Sequence, residues 1–166
     1  STACQLTQMI EVVQGKSFTL QGDSDSTRNE DLYVLLAPSG TPTSATPKRH
    51  FKVHGVLTLR YVQLEGGFVL NGNWGTHSCQ GGSIYVGGTR SIFVALHVLI
   101  KGSGVKDNSG NKVPNAYTGG GLYADNGATV EVNQSTFKNL QAAVSAGGAY
   151  ISGTSTTATF TQSIFI

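Results

Sequence analysis

Short apolar runs, each three to five residues long and broken by glycine, serine and threonine, recur along the whole chain. None carries the 3.6-residue spacing of an amphipathic helix, so the pattern predicts strands. Residues 8–13 and 17–21 read as two strands turning at Gln14-Gly15-Lys16, and residues 49–53, 56–60 and 62–64 as three more, closing on Gly66-Gly67. Alternate side chains of a strand point to opposite faces. Val130 and Val132 therefore face a core, while Thr129, Glu131 and Asn133 face out. Between the first strands and residue 49 lies a polar stretch, residues 22–47, interrupted by the apolar run Leu32-Tyr33-Val34-Leu35-Leu36.

The chain also repeats itself. Gly119-Gly120-Gly121-Leu122 returns as Gly147-Gly148-Ala149-Tyr150, and Val132-Asn133-Gln134-Ser135-Thr136-Phe137 returns as Phe160-Thr161-Gln162-Ser163-Ile164-Phe165, both 28 residues later. A looser copy begins at Gly81-Gly82-Ser83-Ile84. The apolar triplet Leu57, Leu59, Leu64 has the same internal spacing as Phe93, Ala95, Ile100, as Val130, Val132, Phe137, and as Ala158, Phe160, Phe165. Such periodicity marks stacked supersecondary units, each unable to bury its apolar face alone. The expectation is an all-β, right-handed parallel β-helix (β-solenoid) of about four coils. It forms a single domain over residues 1–166, with 1–48 an irregular N-terminal capping and loop segment and 49–166 the coils. Gln134 over Gln162 and Ser135 over Ser163 should form polar ladders along the axis.

Composition narrows the function more than the fold. Of 166 residues 12% are charged, with a formal net charge of +2, so there is no electrostatic footprint for nucleic acid. No stretch approaches the 18 apolar residues of a membrane span. The first residues, Ser1-Thr2-Ala3-Cys4, fit either a mature end left by a removed signal or an artificial boundary. Cys4 and Cys79 are the two cysteines; they read as a disulfide fitting an oxidising compartment, or as two unpaired thiols. Asn133-Gln134-Ser135 is a glycosylation sequon.

The Gly-Gly-x-Ile type starts, Gly81-Gly82-Ser83-Ile84 and Gly147-Gly148-Ala149-Tyr150, resemble the repeats of chlamydial polymorphic outer-membrane proteins. They are also similar to right-handed β-helices of the pectin-lyase-like superfamily in bacterial autotransporters and algal surface proteins. The likeness covers residues 49–166. It implies the β-helix fold and a place at the cell surface, and it says little about activity.

Candidate chemistry is sparse. Polysaccharide-cleaving β-helices cluster acids and bases on one outward strip, yet Arg60, Glu65, Arg90, Lys106, Asp107 and Glu131 do not recur on one strip. His50 and His54 share a strand face without a third ligand, and His77 and His97 stand apart. Asp23, Asp25, Glu30 and Asp31 lack the spacing of a calcium loop. Lys48, Arg49, Lys52 and Arg60 form a basic stretch free of acids, a candidate contact for acidic glycans. Thr157, Thr159 and Thr161 alternate outward, as on ice-binding solenoids, but the coil before offers Thr129, Glu131 and Asn133 instead. The sequence stops in mid-repeat at Ile164, Phe165 and Ile166 without a cap, which reads either as part of a longer β-helix or as an apolar end covered by another subunit in end-to-end assembly into a fibre.

The expected function is an extracellular structural or adhesive surface protein, non-catalytic and without metal or cofactor, its partners being its own copies or neighbouring subunits of a surface assembly. A carbohydrate-binding or polysaccharide-active module is the alternative, and ice binding the third.

Overall fold

The computed structural model describes residues 3–23, 32–39, 48–69, 80–102 and 116–166. Its strands fall into ranks. After β1 (Cys4–Gln5), the first rank is β2 (Ile10–Val12), β3 (Ser17–Gln21) and β4 (Tyr33–Leu36). The second is β5 (Phe51–Val53), β6 (Val56–Arg60) and β7 (Val62–Glu65), and the third β8 (Ile84–Gly87), β9 (Ile92–Leu96) and β10 (Leu99–Lys101). Following β11 (Ala116–Thr118), the fourth is β12 (Leu122–Asp125), β13 (Thr129–Asn133) and β14 (Thr136–Lys138). Following β15 (Ala142–Ser145), the fifth is β16 (Ala149–Ile151), β17 (Thr157–Thr161) and β18 (Ile164–Phe165).

Each rank gives one strand to each of three sheets. Sheet I runs β2-β5-β8-β12-β16, sheet II β3-β6-β9-β13-β17, and sheet III β1-β4-β7-β10-β14-β18. Every pairing within them is parallel. Strands β11 and β15 pair separately, also in parallel. No helix occurs among the described residues. The molecule is all-β, with stacked parallel strands consistent with a β-solenoid.

The inward spacing read from the sequence matches the register. Leu57 pairs with Phe93, Phe93 with Val130, and Val130 with Ala158. On sheet III Leu64 pairs with Ile100, Ile100 with Phe137, and Phe137 with Phe165. These columns form one continuous core in which Phe51, Leu57, Leu59, Leu64, Ile84 and Phe93 are fully buried. The same columns reach below residue 49. Phe18 pairs with Leu57, Leu20 with Leu59 and Leu35 with Leu64, so β2, β3 and β4 form a further rank inside the segment expected to cap the coils. The long polar stretch between β3 and β4 hides that rank from a search for regular spacing.

The doubled glycines differ from the sequence reading. On sheet II the fourth and fifth ranks are offset by 28 residues, as Thr129 pairs with Thr157. On sheet I Leu122 pairs with Ala149 and Tyr123 with Tyr150, an offset of 27. The equivalent starts are thus Gly81, Gly119 and Ala146, all left-handed, at φ 65°, 61° and 52°. That conformation favours glycine, and here alanine takes it in the last rank, so matching glycine to glycine slips the register by one. One extra residue between β16 and β17 restores the 28-residue offset on sheet II.

The corner between sheets II and III turns on one left-handed residue in each of four ranks: Tyr61, His97, Gln134 and Gln162, at φ 53°, 51°, 48° and 48°. Such values are strained for side chains this large, and stacking on the next rank offsets part of the strain. The Tyr61 and His97 rings lie 5.1 Å apart and nearly parallel. Next to them the expected serine ladder is present. Ser163 Oγ accepts from the Ser135 amide at 3.3 Å, and Ser135 Oγ accepts from the Val98 amide at 3.1 Å.

Candidate interaction face

The outward residues of sheet II lie in three columns. Along the sheet they read Ser17, Val56, Ile92, Thr129, Thr157; then Thr19, Thr58, Val94, Glu131, Thr159; then Gln21, Arg60, Leu96, Asn133, Thr161. Arg60 and Glu131 are the only charged residues among them. In β9 the out-of-phase positions are as apolar as the inward ones, so Ile92, Val94 and Leu96 stand partly exposed outside while Phe93 and Ala95 are buried inside. A strand apolar on both sides belongs to a sheet covered on both sides. Outward threonines can be read from β13 and β17 alone, but the apolar centre of the face depends on β9 lying between β6 and β13. The unbroken apolar run of residues 92–96 was the signal available.

An open groove of ≈ 420 Å³ crosses the face between Arg60, Leu96, Glu131, Asn133, Thr159 and Thr161. Asn133, the sequon residue, is exposed on it. The threonines do not form an unbroken ladder, since Ile92 and Val56 interrupt one column and Val94 and Glu131 another.

The outer side of sheet I is built differently. Its central column runs Glu11, Lys52, Tyr85, Tyr123, Tyr150. Lys52 Nζ meets Glu11 Oε1 at 2.8 Å. The three tyrosine rings stack at 5.8 and 5.5 Å, within 6° and 13° of parallel. Tyr85 donates its hydroxyl to Asp125 Oδ1 at 3.2 Å, and Tyr123 hydrogen-bonds to the same carboxylate and to Gln80. Room for the Tyr85 hydroxyl exists because Gly87 stands opposite Asp125; a β-carbon there would strike it. Arg49 lies over the Tyr85 ring, 5.4 Å from its centroid. Burial raises the pKa values of Tyr85 and Tyr123, helped by the neighbouring Asp125 charge: Tyr123 is pushed up to about 12 and Tyr85 further.

The structure separates the four basic candidates. Arg49 is buried at 2% exposure, Lys52 pairs with Glu11 on sheet I, Arg60 is exposed on sheet II, and Lys48 bridges to Phe68 through the backbone. They do not form one patch. His50 is fully buried, its Nε2 3.0 Å from the Leu35 carbonyl, and burial lowers its pKa to about 4. His54 binds the Gly87 carbonyl through Nδ1 at 2.7 Å. Among the described residues no three His, Cys, Asp or Glu side chains gather in a way that would hold a metal.

Cys4 is exposed on β1, while Cys79 lies outside the described residues, and so do His77, Asp25, Glu30, Asp31, Lys106 and Asp107. Ile164, Phe165 and Ile166 are exposed at 55%, 48% and 66%, with Phe165 stacked on Phe137 at 4.6 Å. A scan against protein-family models finds no matching family, and searches of curated proteins and of solved structures find no similar protein.

Proposed function

We propose that this chain is a non-catalytic extracellular or cell-surface module, a right-handed parallel β-helix of the pectin-lyase-like kind. Its role is structural or adhesive, and the outer face of sheet II is its contact surface. The carrying observation is the outward side of β9, where Ile92, Val94 and Leu96 face solvent in the centre of a face with only Arg60 and Glu131 charged. Exposed apolar patches of this kind mark interaction sites. Right-handedness is supported by the handedness of parallel crossovers, which are right-handed in about 98% of cases. The five ranks then count as five coils, with residues before Ile10 at the N-terminal end.

Surface binding tests the reading. Adsorption to apolar and glycan-coated surfaces, followed by quartz-crystal microbalance, should fall sharply in Val94→Lys while thermal stability holds. Adsorption unchanged by that substitution overturns it.

The groove beside Arg60, Glu131 and Asn133 favours a second reading, a carbohydrate-binding module. Its size reaches the lower range of ligand sites, and amide, guanidinium and carboxylate groups beside an apolar floor suit a neutral or acidic sugar. Glycan-array binding lost on Arg60→Ala supports it, and a blank array removes it.

A further inference from the structure

We propose that the outer face of sheet II pairs with the same face of a second copy, about a two-fold axis running along β9. The inference rests on the contact-surface reading above and names the partner. Its basis is the placement of the two charges. Arg60 lies on β6, one strand to one side of β9, and Glu131 lies on β13, one strand to the other side. Two strand spacings of about 4.8 Å separate their strands, roughly 10 Å in all. Neither side chain has an ion-pair partner among the described residues.

A two-fold along β9 exchanges the strands on either side. Arg60 of each copy then lies over Asn133 of the other, one side-chain position from its Glu131, and the contact occurs twice. A two-fold across the strands, through the Val94 column, would instead set Glu131 against Glu131. The charges therefore favour the axis along β9 over this one. That axis also sets β9 on β9, so the apolar residues meet at the centre. At the rim Thr19 meets Thr159 and Ser17 meets Thr157. An apolar centre with a polar, self-complementary rim is the anatomy of a two-fold interface. Aligned sheets pack face to face at about 10 Å, a gap that side chains of this size fill.

Area sets the strength. Five strands at about 4.8 Å by five residues at about 3.3 Å give a face of roughly 400 Å² per copy. Stable interfaces bury about 800 Å² per partner. The pairing is thus reversible and concentration-dependent in solution, and it becomes strong where copies are held close together.

Sedimentation analysis of the whole chain over a wide concentration range tests it. A monomer–dimer equilibrium is expected. Arg60→Glu and Glu131→Arg should each weaken dimerisation about tenfold, since each turns two attractions into two repulsions. The double charge swap should return it to within about threefold of the original. Lys138→Glu, on sheet III, should leave it unchanged. All these positions are exposed, and a thermal melt of each variant checks the fold. A monomer at every concentration overturns the pairing, and so does a dimer indifferent to the single swaps or not restored by the double. A monomer that still loses surface adsorption on Val94→Lys overturns the pairing alone and leaves the contact-surface reading standing.

Discussion

The outer sides of sheets I and II are made by the same ranks, yet one is closed and the other open. On sheet I the groups in and beside the central column pair with one another: Lys52 has Glu11, Tyr85 and Tyr123 share Asp125, and Arg49 lies on Tyr85. Tyr85, Tyr123 and Asp125 are no more than 5% exposed. On sheet II the central column is Thr19, Thr58, Val94, Glu131 and Thr159, and Arg60 and Glu131 are exposed with no ion-pair partner among the described residues. The difference teaches where stability and contact are placed. A face whose polar groups satisfy one another has little left to offer a partner. A face whose side chains lack such mutual pairing contributes less to its own fold and remains available.

Substitutions should divide along that line. Asp125→Ala leaves two buried tyrosine hydroxyls without their acceptor and should cost about 4 kcal/mol, read as a large fall in melting temperature. If its effect is small, sheet I is not closed in the sense argued. Acid should act next. His50 has its pKa lowered by burial to about 4, against about 6.5 when unfolded, so the unfolded chain binds the proton first. Stability should be complete above pH 6.5 and fall by about 3 kcal/mol as pH drops towards 4, and His50→Gln should flatten that slope in denaturant titrations.

Tyr85→Phe removes one hydrogen bond to the carboxylate and should cost about 1.5 kcal/mol. At the small end, Val94→Thr on sheet II should change monomer stability by less than about 0.5 kcal/mol. A large loss there would show that the exposed face supports the fold and would collapse the contrast.

The core was legible in the sequence, and the faces were not. Leu57, Phe93, Val130 and Ala158 could be aligned without a structure because inward positions must be apolar in every rank. The glycine starts misled by one position because Ala146 holds a left-handed conformation usually left to glycine. The rank of β2, β3 and β4 escaped because its spacing is broken by a long polar stretch. The basic run looked like a patch since Lys48, Arg49 and Lys52 are neighbours in sequence. Their placement depends on the turn into β5, which buries Arg49 and turns Lys52 towards Glu11. The sheet II face was hidden for a further reason: its outward threonines are legible in β13 and β17, but Ile92, Val94 and Leu96 alternate with equally apolar inward residues, so alternation cannot assign their side.

The direction of the hydrogen bonds between ranks also gives the molecule a mechanical character. The backbone hydrogen bonds between ranks, such as Gln134 N to Thr161 O at 2.9 Å, run along the axis of the stack. Tension on a chain end along that axis pulls directly on these bonds, so ranks peel from the end one at a time, as a zipper opens. Tension along the strands shears a whole boundary at once and meets far greater resistance. The stack is therefore a stiff plank across and a peelable ribbon along its length, and a material built from it would be tough only if neighbouring planks shared the load side by side.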